Sequence, residues 1–262
     1  MLKPRLIPVL LLMNGQLVRS EKFQIHQIIG NPIHEAERFN QWGVDEIIYL
    51  DISRTDDYDL RRNDQKVRDL NTVERIQESV SKTCFVPLTW GGRIQSIKDM
   101  ESAFAHGADK IAINSQAFRT PELITEGANK FGAQAIVVSI DAKRHPNNHY
   151  EVMLDGGRTA TGRDPVEWAR TAQGRGAGEI LIQSTDLDGT AEGYDVELIS
   201  AVSSAINIPV IACSGVGRYE DYAKGLKAGA AAVAAANIWH FKEMADRGAK
   251  RALLRAGVNV RV

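Results

Sequence analysis

Asp141 is the residue around which a chemical reading most readily forms. It closes an apolar run in the stretch Ser139-Ile140-Asp141-Ala142-Lys143. A carboxylate at the end of such a run suits acid–base work when partial burial tunes its pKa. The competing reading is a structural carboxylate that caps a helix or ties a loop. Two glycine-bearing turns offer a different chemistry: Trp90-Gly91-Gly92-Arg93 and Cys213-Ser214-Gly215-Val216-Gly217. Glycine there lets backbone N–H groups approach an anion, and the N-terminus of a following helix adds a favourable dipole. Gly92, Arg93, Gly215 and Gly217 are therefore candidate anion contacts, joined by Asp188, Gly189 and Thr190 after another apolar run and by Asn114 and Ser115. Each glycine also has the plainer reading of a tight turn. Finally, Arg5, Glu46, Lys110 and Glu179 each open an apolar run. Two cations and two carboxylates form a ring of salt bridges if the fold gathers them.

The elements that must position these residues recur along the chain. Apolar runs at Arg5–Met13, Glu46–Ile52, Val86–Trp90, Lys110–Asn114, Ala135–Asp141, Glu179–Ser184, Pro209–Cys213 and Ala231–Ala236 alternate with helical periodicity. Eight strands alternating with helices read as parallel α/β, and 262 residues suit one (β/α)8 TIM barrel over residues 1–262. In such a barrel Asp141 and the glycine turns lie at the C-terminal ends of strands, where active sites form. The four charged residues begin their strands and gather at the bottom, where residues usually serve stability. After Asn114 a helix is expected with Thr120 as its cap, Pro121 in its first turn and Gly132 at its end.

The two halves repeat. Setting Val86-Pro87-Leu88-Thr89 on Ile208-Pro209-Val210-Ile211 gives an offset of 122, which carries Ile97, Met100 and Phe104 onto Tyr219, Tyr222 and Leu226. Gly107-Ala108 then falls on Gly229-Ala230, and Glu46 matches Glu179 at an offset of 133. A half-barrel unit has been written twice. At the end of the first strand, Leu10-Leu11-Leu12-Met13 aligns with Ile140-Asp141-Ala142-Lys143, which sets Asp141 on Leu11, a residue that cannot transfer a proton. The first half carries an inserted segment dense in Asp and Arg at about residues 54–70, after the second strand. It is either a solvated excursion or a rim element that shapes the site.

A net charge of −1 excludes a broad electrostatic footprint on nucleic acid or an anionic membrane. Cys84 and Cys213 are far apart, and the six histidines form no paired-ligand pattern, so neither a metal nor a cofactor is expected. Met1–Met13 loosely resembles a signal peptide, but its apolar run is short, holds Pro8 and leads into Asn14-Gly15. A buried parallel strand is the preferred reading, and a cytoplasmic location is expected with it.

From Lys3 to Val260 the sequence resembles the cyclase subunit of imidazole glycerol phosphate synthase. The residues that carry this are Arg5-Leu6-Ile7-Pro8, Asp45-Glu46 through Tyr49-Leu50-Asp51-Ile52, Gly107-Ala108-Asp109-Lys110 and Ile140-Asp141-Ala142-Lys143-Arg144. Gly176-Ala177-Gly178-Glu179-Ile180-Leu181, Asp188-Gly189-Thr190, Gly193-Tyr194-Asp195 and Gly257-Val258-Asn259-Val260 add to it. The resemblance implies a barrel that receives ammonia from a separate glutaminase docked at its bottom face. It implies that Arg5, Glu46, Lys110 and Glu179 form the gate at the ammonia entrance, and that Asp109 helps dock the glutaminase. It also implies a pair of catalytic aspartates, of which Asp141 matches one and Leu11 replaces the other. Met13 and Asn14 replace a basic residue and an aspartate, Arg93 and Ser214 replace glycines of the phosphate turns, and Asn237, a further ligand candidate, replaces a serine.

The departures cluster at the mouth and spare the gate. The chain is similar in this to paralogues of bacterial surface-polysaccharide (O-antigen) biosynthesis that lack the first aspartate. There the resemblance implies an ammonia-channelling subunit whose acceptor is a phosphorylated or nucleotide-sugar molecule, with an N-acetyl group becoming acetamidino. Two alternatives stand beside it: the histidine-biosynthesis cyclase itself, and a barrel scaffold that only activates a glutaminase.

Overall fold

A computed structural model describes residues 3–54 and 72–261. The inserted segment lies, apart from Arg54, outside the described residues. Among the described residues there are twelve strands: β1 (Arg5–Met13), β2 (Gln16–Glu21), β3 (Ile25–Gly30), β4 (Ile47–Asp51), β5 (Leu88–Gly91), β6 (Lys110–Ile113), β7 (Ile136–Arg144), β8 (Tyr150–Leu154), β9 (Thr159–Ala160), β10 (Glu179–Ser184), β11 (Val210–Cys213) and β12 (Ala232–Ala235). Eight of them, β1, β4, β5, β6, β7, β10, β11 and β12, pair in parallel in that order, and β12 pairs with β1 to close the barrel. This is the expected (β/α)8 barrel. The register fixes two neighbours at its mouth, Leu11 beside Leu50 and Asp141 beside Gln183.

Alternation along the strands makes two apolar layers. Ile7, Val9, Leu11, Ile48, Ala112, Val137, Leu181 and Ile211 point into the barrel and fill it. Leu6, Leu10, Leu12, Tyr49, Trp90 and Val138 point outward against the helices and form the larger core. The helices are α1 (Pro32–Trp42), α2 (Val73–Thr83), α3 (Ile97–Ala105), α4 (Ser115–Arg119), α5 (Glu122–Phe131), α6 (Pro165–Gly174), α7 (Val196–Ala205), α8 (Tyr219–Lys227), α9 (Asn237–Phe241) and α10 (Ala245–Arg255). Among the described residues no helix is long and apolar enough to cross a membrane.

The sequence repeat appears as geometry. Helices α3 and α8 have equal length and start 122 residues apart, burying Met100 and Tyr222 at matched positions. Their first turns are tied alike: Asp99 accepts the N–H groups of Gln95 and Ser96, and Asp221 accepts those of Gly217 and Arg218. Gly107 and Gly229 share a left-handed backbone, φ +99° and +105°.

Two antiparallel hairpins were not anticipated, and they too are repeat mates. The first barrel strand, β1, continues into β2 and β3; the fifth, β7, continues into β8 and β9. Both leave the barrel strand through a turn with a left-handed residue, Asn14-Gly15 after β1 and Asn148 after β7, and a further left-handed turn, Asp155-Gly156-Gly157, joins β8 to β9. The helix expected after Asn114 is in fact two, α4 and α5. Gly132 ends the second as expected, but Thr120 does not cap it: its hydroxyl accepts from Gln116 Nε2 at 3.0 Å instead.

Candidate active site

The C-terminal ends of the barrel strands open on a cavity of about 420 Å³. Asp141 sits in its wall, 3% exposed. Strand β7 aims it inward, two residues above Ser139 on the same face. Gln183 Nε2 donates to Asp141 Oδ1 at 3.1 Å and lies 3.2 Å from Ser139 Oγ, which is also 3.4 Å from Asn114 Nδ2. Burial, the dominant influence, pushes the Asp141 carboxyl up to about 7; the Asn114 and Gln183 amides pull it back, and the Asp188 charge adds to the rise. A carboxyl that titrates near neutrality can both give and take a proton.

Asp188 also lines the cavity, its carboxyl held above the usual range by burial. It straps the first hairpin over the site: Ser20 Oγ donates to its Oδ2 at 2.6 Å, and the N–H of Phe23 donates to the same oxygen at 3.3 Å. Asn237 completes the strap by donating Nδ2 to the Ser20 carbonyl at 2.8 Å, while its buried Oδ1 has no hydrogen-bond partner among the described residues. Ser115 holds the second hairpin, accepting the Asp155 N–H at 2.9 Å.

The two glycine turns face the cavity, and each contains a pair of left-handed residues. Gly92 and Arg93 have φ of +90° and +60°; Ser214 and Gly215 have +80° and +89°. A side chain at Gly92 would overlap the Asp51 carbonyl, and one at Gly215 would overlap the Gly193 carbonyl. Arg93 and Ser214 adopt this conformation as L-residues, at a cost of about 1–3 kcal/mol each. Arg93 reaches 3.8 Å from the buried carboxylate of Asp51.

Of the residues singled out in the sequence, Asp141, Gly92, Arg93, Asn114, Ser115, Asp188, Gly189, Gly215 and Asn237 line one cavity. Thr190 and Gly217 do not. The Thr190 hydroxyl bonds the Leu187 carbonyl, and the Gly217 N–H is committed to Asp221. Several lining residues had not been foreseen. His26 comes from the first hairpin, with a pKa lowered by burial and by Arg54. Arg119 comes from α4 and Arg158 from the second hairpin; both bind Asp155, the former through its carboxylate at 2.7 Å, the latter through its carbonyl at 2.6 Å. Only the Asp-Gly-Gly turn before Arg158 left a trace in the sequence.

The other end of the barrel is closed by charge. Arg5 lies 2.6 Å from Glu46 and 2.9 Å from Glu179, and Lys110 lies 3.1 Å from each of the same carboxylates. The four expected residues thus make a continuous ring, with Thr89 Oγ1 also donating to Glu46 at 2.7 Å. Burial opposes the Arg5 charge, but Glu46 and Glu179 outweigh it and raise its pKa. Asp109, beside this ring and exposed, accepts the Leu88 N–H at 2.8 Å, which gives its carboxylate a part in strand β5.

A family model described as "Histidine biosynthesis protein" matches residues 5–245 of this architecture. The chain belongs to that family. Membership makes it a histidine-biosynthesis-type barrel enzyme of the isomerase or cyclase kind. Within the family's frame, the mouth of this member holds a buried Asp141 on one wall and Leu11, 8% exposed, at the repeat-related place on the other.

Proposed function

We propose that the chain is the ammonia-receiving synthase subunit of a glutamine-dependent amidotransferase whose acceptor is not the family's histidine precursor. One contrast carries this reading: the charged ring at the bottom is complete, while Leu11 takes the place of an acid–base residue at the top. A glutaminase docked at the bottom, with Asp109 at the contact, releases ammonia beneath Arg5, Glu46, Lys110 and Glu179. Above the ring the interior is lined by Ile7, Val9, Ile48, Val137, Leu181 and Ile211. Such a lining disfavours ammonium and leaves neutral ammonia as the species that passes.

At the mouth the acceptor is a phosphorylated or nucleotide-sugar molecule. The turns at Gly92 and Gly215 and the guanidinium of Arg93 suit its anionic groups. The conversion assigned to the complex is N-acetyl to acetamidino, carried out together with a separate amidotransferase: in the net exchange the ammonia nitrogen replaces the amide oxygen, and one water is released.

Complementation of a histidine auxotroph tests the reading. No growth is expected from the wild-type chain, and a Leu11→Asp variant should restore some. Robust wild-type growth would overturn the proposal in favour of imidazole glycerol phosphate synthesis. One observation favours that second reading: a carboxyl at about 7 can serve as acid and base in turn without a partner. Lys110→Ala should impair use of glutamine more than use of free ammonium; equal losses would count against a gate.

A further inference from the structure

Two opposite arcs of the barrel, each spanning the junction between the repeated halves, meet the cavity with opposite chemistry. Asp141 and Gln183 line it from the neighbouring strands β7 and β10, and Asn114 from the end of β6 beside them. Their repeat mates are Leu11 and Leu50, on the neighbouring strands β1 and β4, and Ala236, just past the end of β12 beside them. The same register that sets Asp141 beside Gln183 sets Leu11 beside Leu50. One wall is therefore a hydrogen-bonded array of carboxyl and carboxamides, and the strand ends across from it are aliphatic beneath a rim that carries polar groups such as His26, Ser53 and Asn237. Val9, behind Leu11 on the same face, extends the aliphatic side, where its repeat position on the other is Ser139.

A ligand of uniform polarity fits this division badly. Polar groups turned toward Leu11 and Leu50 lose their water and find no partner, and such a loss is costly. Apolar groups turned toward Gln183 and Asp141 strand donors and acceptors in the same way. Nor does proton transfer account for Leu11, Leu50, Val9 and Ala236, since none of these side chains titrates.

We infer that the cavity selects a two-faced ligand, with a small apolar group such as an acyl methyl against Leu11 and Leu50 and amide-type donors and acceptors against Asn114, Asp141 and Gln183. Leu11 is then a specificity residue as well as a lost acid. The wall assignment stands on geometry alone; its extension to an N-acylated sugar rests on the function proposed above. A carboxamide pairs naturally with a carboxamide, because each offers one acceptor and two donors. A secondary amide keeps one N–H for Asp141 and a carbonyl for the Gln183 or Asn114 amide. Its acyl methyl then faces the opposite wall.

Two experiments separate the wall from the sugar. In the first, crystals are soaked with acetamide, and methyl NMR of Leu11 and Leu50 follows acetamide and formamide in solution. Acetamide should bind with its methyl on Leu11 or Leu50 and its amide on Asp141 or Gln183, about fourfold more tightly than formamide, as expected for one buried methyl. The reversed pose, an empty cavity, binding at crystal concentration only or equal affinities would overturn the inference. In the second, calorimetry compares UDP-N-acetylglucosamine with its N-formyl counterpart. A preference of about fourfold is expected, falling below twofold in Leu11→Ala and in Leu11→Asp, with circular dichroism reporting that each variant is folded. Equal binding of the two sugars, or a preference untouched by both variants, would overturn the wall while leaving the sugar reading intact. Acetamide in the expected pose with neither sugar bound would support the wall and sink the sugar reading.

Discussion

Replacing Asp141 by asparagine should stabilise the protein, and by an amount that depends on pH in a fixed direction. Burial raises this carboxyl from 3.8 to about 7. The folded chain therefore holds the proton more tightly than the unfolded chain does. The stability this lends is fully present below about pH 4 and is lost as the pH rises through 7. At about 1.4 kcal/mol per pH unit, the gap between the two values amounts to about 4 kcal/mol. Asparagine keeps the oxygen that accepts from Gln183 and carries no charge to bury. Asp141→Asn and wild type should match near pH 4, and the variant should be more stable by about 2–4 kcal/mol at pH 8, a rise in Tm of about 4–8 °C. Urea denaturation of both proteins across this range measures it, since every other titrating group is common to the two. A difference that changes by less than about 1 kcal/mol between pH 4 and pH 8 would refute the burial argument.

The remaining expectations concern the parts that frame this residue. Glu46→Ala removes a carboxylate 1% exposed that is shared by Arg5 and Lys110, and should cost about 3–5 kcal/mol in urea denaturation; a cost below 1 would mean that the ring is not buried in effect. Ser214→Gly releases a left-handed L-residue and should stabilise by about 1 kcal/mol in thermal denaturation, a gain that a non-strained serine would not give. Asp188→Ala cuts the strap at Ser20 and Phe23, so amide exchange across β2 and β3 should quicken by tenfold or more while the barrel strands stay protected. Unchanged exchange in the hairpin would show that its packing alone holds it.

Much of this architecture was legible in the sequence because buried parallel strands write themselves as apolar runs. Strands β1 and β10 have the expected limits, and the others differ by a few residues at their ends, where hydrogen bonding rather than apolarity decides. The ring followed from position, since a charge that opens a strand must lie at the bottom of the barrel. The hairpins were missed although Asn14-Gly15 and Asp155-Gly156 are strong turn signals. Each sits directly after a barrel strand, where the helix of the next unit was expected. Arg119 and Arg158 could not be placed from spacing, because their position at the rim depends on how the second hairpin folds back on α4. Thr190 and Gly217 lie outside the cavity lining, the Thr190 hydroxyl turned to the Leu187 carbonyl and the Gly217 N–H to Asp221 in α8, neither of which spacing alone could show.

The charged floor has a property that a single ion pair lacks, which is redundancy. Each carboxylate has a second holder. If Lys110 swings away, Glu46 keeps Arg5 at 2.6 Å and Thr89 at 2.7 Å, and Glu179 keeps Arg5 at 2.9 Å. No buried anion is left bare, so the step avoids the large penalty that follows from breaking an isolated buried pair. Lysine, a compact charge on a flexible four-carbon stem, is suited to such a movement. Loss of the Lys110 link thus leaves the other three residues holding the floor together.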